Sequence, residues 1–92
     1  MLPKLREAKY QGAYRVWLRF SDGTEGEVDL ENELWGEMFE PLKEKSRFSE
    51  VAFDEELGTI VWPNGADFAP EFLYQKLRPD YSLRPSPQSG VA

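Results

Sequence analysis

Residues 13–30 read AYRVWLRFSDGTEGEVDL, and the pairing within this stretch decides the fold. Tyr14, Val16, Leu18 and Phe20 alternate with Arg15, Trp17 and Arg19. After Asp22-Gly23 the alternation resumes, with Thr24, Gly26, Val28 and Leu30 against Glu25, Glu27 and Asp29. A period of two marks strands with one buried face. A two-residue Asp-Gly loop would set Leu18 opposite Glu27 and so mix the faces, since a slip of one residue reverses every side chain. A three-residue loop, Ser21-Asp22-Gly23, instead pairs Val16 with Val28 and Tyr14 with Leu30. It also sets Arg19 against Glu25 and Arg15 against Asp29. Gly23 then takes the left-handed position of a bulged turn. Exposed ion pairs contribute about 0–1 kcal/mol each, so the apolar pairs decide the register.

Outward from this hairpin, residues 5–10 (LREAKY) and a Gln11-Gly12 turn predict a third strand and hence a meander, although Leu5, Ala8 and Tyr10 do not alternate cleanly. In 31–47 the period changes. Leu34, Met38 and Leu42 fall at i, i+4 and i+8, a helical stripe. Gly36 and Pro41 interrupt it, which predicts short helices near residues 34–46, the second turn starting at Pro41. Segment 48–62 (FSEVAFDEELGTIVW) predicts a second hairpin with the loop Glu55–Gly58, Phe53 opposite Ile60 and Val51 opposite Trp62. Pro63-Asn64-Gly65 then has the composition of a tight turn. Ala69 precedes a proline and marks a helix boundary, and Pro70 opens a helix over 70–77. Trp35 and Trp62 are expected in the core. The reading is therefore α+β: an antiparallel β-meander, a second β-hairpin and short helices. One domain covers 1–78, and 79–92 forms a disordered, Pro/Ser-rich C-terminal tail.

Composition narrows the function. The chain has 92 residues, enough for one modest core. It contains no Cys and no His. That excludes thiol chemistry, zinc–thiolate sites and every His-based triad within it. No cofactor or metal is expected. A net charge of −6 disfavours direct nucleic-acid binding, suits a basic protein partner and favours solubility. With no apolar run of signal-peptide or membrane-helix length, the expectation is a cytoplasmic protein without membrane association, monomeric or weakly self-associating.

The candidate sites fall in two groups. Trp17 lies on the polar face of its strand between Arg15 and Arg19. It is either a partner-binding surface or is covered by a helix or the N-terminal segment. Asn64, Gly65 and Asp67 form a clasp between the last strand and the last helix, Asp67 accepting backbone N–H bonds from the turn or the helix start. Asp67 and Glu71, two carboxylates that could share a proton, are also the pair for the alternative of a small carboxylate-based hydrolase or metal-dependent enzyme. Asp54, Glu55 and Glu56 cluster at a hairpin tip, where a weak Ca²⁺ or Mg²⁺ site competes with the simpler reading of a solvated turn.

The run GTIVWPNGADFAPEFLY resembles the signature of a small bacterial family, domain of unknown function 2442, at Trp62, Asn64, Gly65, Ala66, Asp67, Pro70, Leu73 and Tyr74. Phe20-Ser21-Asp22-Gly23, Val28-Asp29-Leu30 and Phe39-Glu40-Pro41-Leu42 also fit, so the resemblance spans residues 8–77. It implies a small α+β fold and little about activity. Some relatives carry a helix-turn-helix segment after the domain. This chain continues only into its short tail, so DNA binding is not carried over. Members are often encoded beside another small protein in arrangements that look like toxin–antitoxin pairs, an analogy at family level. The expectation is a non-enzymatic protein-interaction or regulatory module, an antitoxin-like acidic partner of a small basic protein.

Overall fold

Alternation over residues 15–29 builds the centre of a three-stranded antiparallel sheet. In a computed structural model that describes residues 3–78, β1 (Leu5–Gly12), β2 (Arg15–Phe20) and β3 (Glu25–Asp29) pair in the order β1-β2-β3. The tail expected over 79–92 lies outside the described residues. Val16 pairs with Val28, Arg15 with Asp29 and Arg19 with Glu25, while the Leu30 N–H bonds the Tyr14 carbonyl at 2.8 Å. The loop is Ser21-Asp22-Gly23 and Gly23 has φ 89°. The side chains do not follow the pairing of the backbone. Arg19 reaches back to Glu7 on β1 at 3.0 Å, and Arg15 reaches diagonally to Glu27 at 3.3 Å.

β1 explains its own irregular pattern. Register shifts lie between Leu5 and Glu7 and between Tyr10 and Gly12, and they bring Leu5, Ala8 and Tyr10 opposite Phe20, Leu18 and Val16. Partners directly across an antiparallel pair share a face. One extra residue at the first bulge thus puts these three unevenly spaced residues on one face, where Leu5 is buried, Ala8 half-buried and Tyr10 exposed. The turn into β2 falls at Ala13-Tyr14, two residues later than Gln11-Gly12 would place it, and Ala13 takes φ 49°.

The segment after β3 is not one helical stripe. Short helical turns occupy Glu31–Glu33 and Glu40–Lys43, and helix α1 spans Lys45–Phe48. Gly36 has φ 92°, which stops the helical path between Leu34 and Met38. Leu34 and Leu42 are buried, whereas Met38 is 47% exposed and Trp35 71% exposed. The expectation that Trp35 belongs to the core is therefore corrected: the turn at Gly36 carries it outward.

β4 (Ala52–Asp54) and β5 (Thr59–Val61) form the second hairpin, with Phe53 opposite Ile60. Helix α2 (Pro70–Leu77) follows, with Pro in its first turn. Leu73 and Tyr74 on α2 pack onto the inner face of the sheet beside Phe20, whose ring meets Tyr74 edge-on at 5.0 Å. Gly26 makes room for this helix, since a Cβ there would lie 2.9 Å from Leu77 Cδ2. Trp62 ends the hairpin in the core and donates its indole N–H to the Phe48 carbonyl at 2.8 Å.

Candidate functional site

The turn after Trp62 repeats the turn after Phe20. Trp62 N–H bonds the Ala66 carbonyl and Gly65 N–H bonds the Trp62 carbonyl, as Phe20 N–H bonds Thr24 and Gly23 N–H bonds Phe20. In each turn an Asx side chain accepts the N–H two residues on. Asp22 Oδ1 takes Thr24 N–H at 2.9 Å and Asn64 Oδ1 takes Ala66 N–H at 3.0 Å. Each Gly lies in the left-handed region, with Gly65 at φ 92°. Asn64 also donates from Nδ2 to the Met38 carbonyl at 2.9 Å, tying the turn to the segment after β3.

This geometry redistributes the roles in the clasp. Asn64 holds the turn and Gly65 permits it, but no side chain caps the start of α2. Asp67 is exposed and bridges Val61 through backbone only. Of the backbone bonds expected of Asp67, the one from the turn is accepted by Asn64 and the one from the helix start is absent, because the chain re-enters a β-bridge at Asp67 before the helix begins. Tyr74 is placed by a different partner: its hydroxyl donates to Asp22 Oδ2 at 2.6 Å. That bond, with the Thr24 backbone donor, holds the Asp22 carboxyl below its ordinary value.

A groove opens where the two clasped segments meet, with a volume of about 280 Å³. Its floor is aromatic. Phe39 stacks on Phe68 at 4.6 Å, and Phe68 stacks on Phe72 at 5.3 Å. Trp62 supports Phe68 from below, edge-on at 5.8 Å. Trp35 stands on the rim, with Asp67 and Glu33 also bordering the opening. At the Phe72 end the Lys76 ammonium lies 5.7 Å from the ring centre and 3.3 Å from Glu33 Oε2. Sequence reasoning missed Trp35, Phe39, Phe68 and Phe72 as a site. The signal lay in Trp35-Gly36, where a glycine directly after a large aromatic releases it from the helical stripe.

The groove falls just below the usual range for small-molecule sites, about 300–1,000 Å³, and suits one or two side chains. Asp67 borders it, but Glu71 is exposed and lies outside the lining, so the pair does not converge. Among the described residues no group of three or more acidic side chains is arranged to hold a metal ion. At the hairpin tip Asp54 Oδ1 accepts Leu57 N–H at 2.9 Å, an ordinary turn bond.

The outer face of the sheet carries the other sequence-derived residues. Trp17 is half-buried there, paired across to Lys9 and Glu27, with the Lys9 ammonium 5.6 Å from its ring centre. Arg15 and Arg19 flank it and are both ion-paired. Arg19, its hydrogen bond foremost, also holds the Glu7 carboxyl below its ordinary value. Of the two surfaces, the groove presents the larger uncovered aromatic.

Comparison with known proteins places this architecture. The family model described as protein of unknown function (DUF2442) matches residues 5–79, most of the chain. The chain belongs to that family, as its Asn-Gly-Ala-Asp signature implied. No curated protein and no solved structure matches it.

Proposed function

We propose that this member of the family is a non-enzymatic protein-interaction module of the cytoplasm, the antitoxin-like acidic partner of a small basic protein. The observation that carries this reading is Trp35, 71% exposed above an aromatic floor. An exposed ring continuous with an aromatic groove marks a contact site in a way that a lone surface ring does not, and Trp is over-represented among residues that dominate binding energy. The net charge of −6 selects a basic partner. The carboxylate-enzyme alternative finds less support, since Asp67 and Glu71 do not share a pocket. The Trp17 face, with Arg15 and Arg19, is a second contact surface in this reading; its arginines are already paired with acidic neighbours. The free protein is a monomer or weak homo-oligomer.

Co-purification of the untagged chain, followed by binary titration of the identified partner, tests the proposal. Trp35→Ala should weaken binding by about tenfold or more, the cost of a typical interface anchor, while the unfolding midpoint stays unchanged. Trp17→Ala should have the smaller effect. Full binding by the Trp35→Ala variant would sink the reading.

A further inference from the structure

The groove already displays the chemistry of its ligand in miniature. At one end an ammonium, Lys76 Nζ, sits between a carboxylate, Glu33, and an aromatic ring, Phe72. The same two elements recur in the groove lining without an internal cation, as Asp67 and Trp35. Among the described residues the Asp67 carboxylate has no ion pair or hydrogen bond. No basic side chain lines the groove. Resting on the interaction-module reading above, we infer that the groove receives an arginine side chain of the basic partner, flanked in that partner by an apolar residue. The guanidinium pairs with the Asp67 carboxylate and lies against the Trp35 indole. The apolar neighbour covers the Phe39–Phe68–Phe72 stack.

Three features select arginine over other occupants. Its guanidinium is planar, so it stacks on a flat ring and pairs with a carboxylate in the same pose. It is more weakly hydrated than an ammonium, so less is lost when it enters an aromatic groove. Cations over Trp gain more than over Phe, and Trp35 lines the groove together with Asp67, the carboxylate that is not already paired. An acidic or phosphorylated segment would meet Glu33 and Asp67 and be repelled.

The test uses the full chain and three capped dipeptide probes, N-acetyl-Leu-Arg-amide and its lysine and citrulline analogues. Citrulline keeps the shape of arginine and removes its charge. Backbone and indole N–H shifts report binding, with the Trp35 indole identified by Trp35→Phe. The arginine probe should move the Trp35 indole and the Phe68 and Ala69 amides, with a dissociation constant about three- to tenfold below that of the citrulline probe and lysine between them. Asp67→Asn, an exposed and nearly isosteric change, should bring arginine and citrulline to within about twofold. Equal affinity for arginine and citrulline in the unsubstituted chain, arginine preference that survives Asp67→Asn, or shifts centred on Trp17 would overturn the inference. So would a Trp35 indole that moves on dilution, which would make a second copy the occupant. A Trp35 indole that moves on Arg84→Ala without any probe would make residues 79–92 of this chain the occupant and overturn it equally. Failure here is separable from failure of the parent reading. Charge-blind probe binding combined with partner loss in Trp35→Ala removes arginine and leaves the docking surface. Arginine-selective binding with the partner retained in Trp35→Ala removes the docking role itself.

Discussion

Asn64 and Asp67 lie three residues apart and look interchangeable on paper, yet the fold uses them differently. Asn64 makes two bonds, one within its own turn from Ala66 N–H and one to the Met38 carbonyl that ties the turn to a distant segment. Removing a partner from such bonds costs about 0.5–1.5 kcal/mol each before the exposure of the site is considered. Asn64→Ala should therefore lower stability by about 1–2 kcal/mol, and Asn64→Asp by less, since an aspartate keeps the acceptor and loses the donor. Gly65→Ala should cost about 1 kcal/mol or more through left-handed strain, with Met38 Cε 3.5 Å from the new Cβ. Asp67→Ala should stay within about 0.5 kcal/mol of the unsubstituted chain, as exposed positions without partners do. Urea denaturation of the four variants ranks them. A loss of more than about 1 kcal/mol in Asp67→Ala would restore to Asp67 the capping role that this geometry denies it. The same scale separates two tryptophans. Trp62, 2% exposed, should cost about 3–5 kcal/mol on truncation to Ala, whereas Trp35→Ala should be nearly neutral for folding.

Among the elements, the β2–β3 hairpin was legible because two independent signals agreed. Period-two alternation fixed the faces, and Asp22-Gly23 fixed the turn. The second hairpin was legible for the same reason, through Phe53 and Ile60 around a four-residue loop. β1 was legible only as a strand, because a bulge changes the spacing of the residues that share a face and no composition marks where a bulge falls. The segment around Trp35 misled in the opposite sense. Leu34, Met38 and Leu42 keep helical spacing, but one glycine with φ 92° makes the path non-helical, and the stripe then describes no single face. The groove was illegible for the same reason: it needs Trp35 turned out and Phe39 turned in, and it joins two segments, 33–39 and 67–72, that are distant in sequence. The contact of α2 with the first hairpin turn carries a pH prediction. Tyr74 lowers the pKa of Asp22 in the folded state, so the unfolded state binds the proton more tightly. This stabilisation is complete above the unfolded Asp value of about 3.9. It is lost as the pH falls through the lower, folded value. Tyr74→Phe should therefore flatten the acid limb of stability between about pH 5 and 2, without removing the slope that Glu7 contributes through Arg19. Thermal melts across that range check it. An unchanged acid limb would mean that the Tyr74 hydroxyl does not distinguish the two protonation states.

At the scale of the whole molecule, one core joins the inner face of the sheet to the second hairpin and α2, and the ion pairs lie on the surface. Such pairs add little to stability, so under the proposed function the charge of −6 is expected to act on association more than on folding. The two surface properties, charge and the exposed ring, should then separate kinetically. Long-range attraction acts before contact and is screened over about 10 Å at 0.1 M salt. The groove acts only after contact. For the proposed basic partner, raising the salt from about 0.05 to 0.5 M should slow association by about tenfold or more and change dissociation little. Trp35→Ala should do the reverse, accelerating dissociation by about tenfold with the association rate held within about threefold. Surface plasmon resonance at several ionic strengths, with the unsubstituted chain and Trp35→Ala, measures both rates. An association rate indifferent to salt would mean that the acidic surface keeps the protein in solution and does not choose its partner. An unchanged dissociation rate in Trp35→Ala would move the contact away from the groove, toward the outer face of the sheet where Trp17 lies between Arg15 and Arg19.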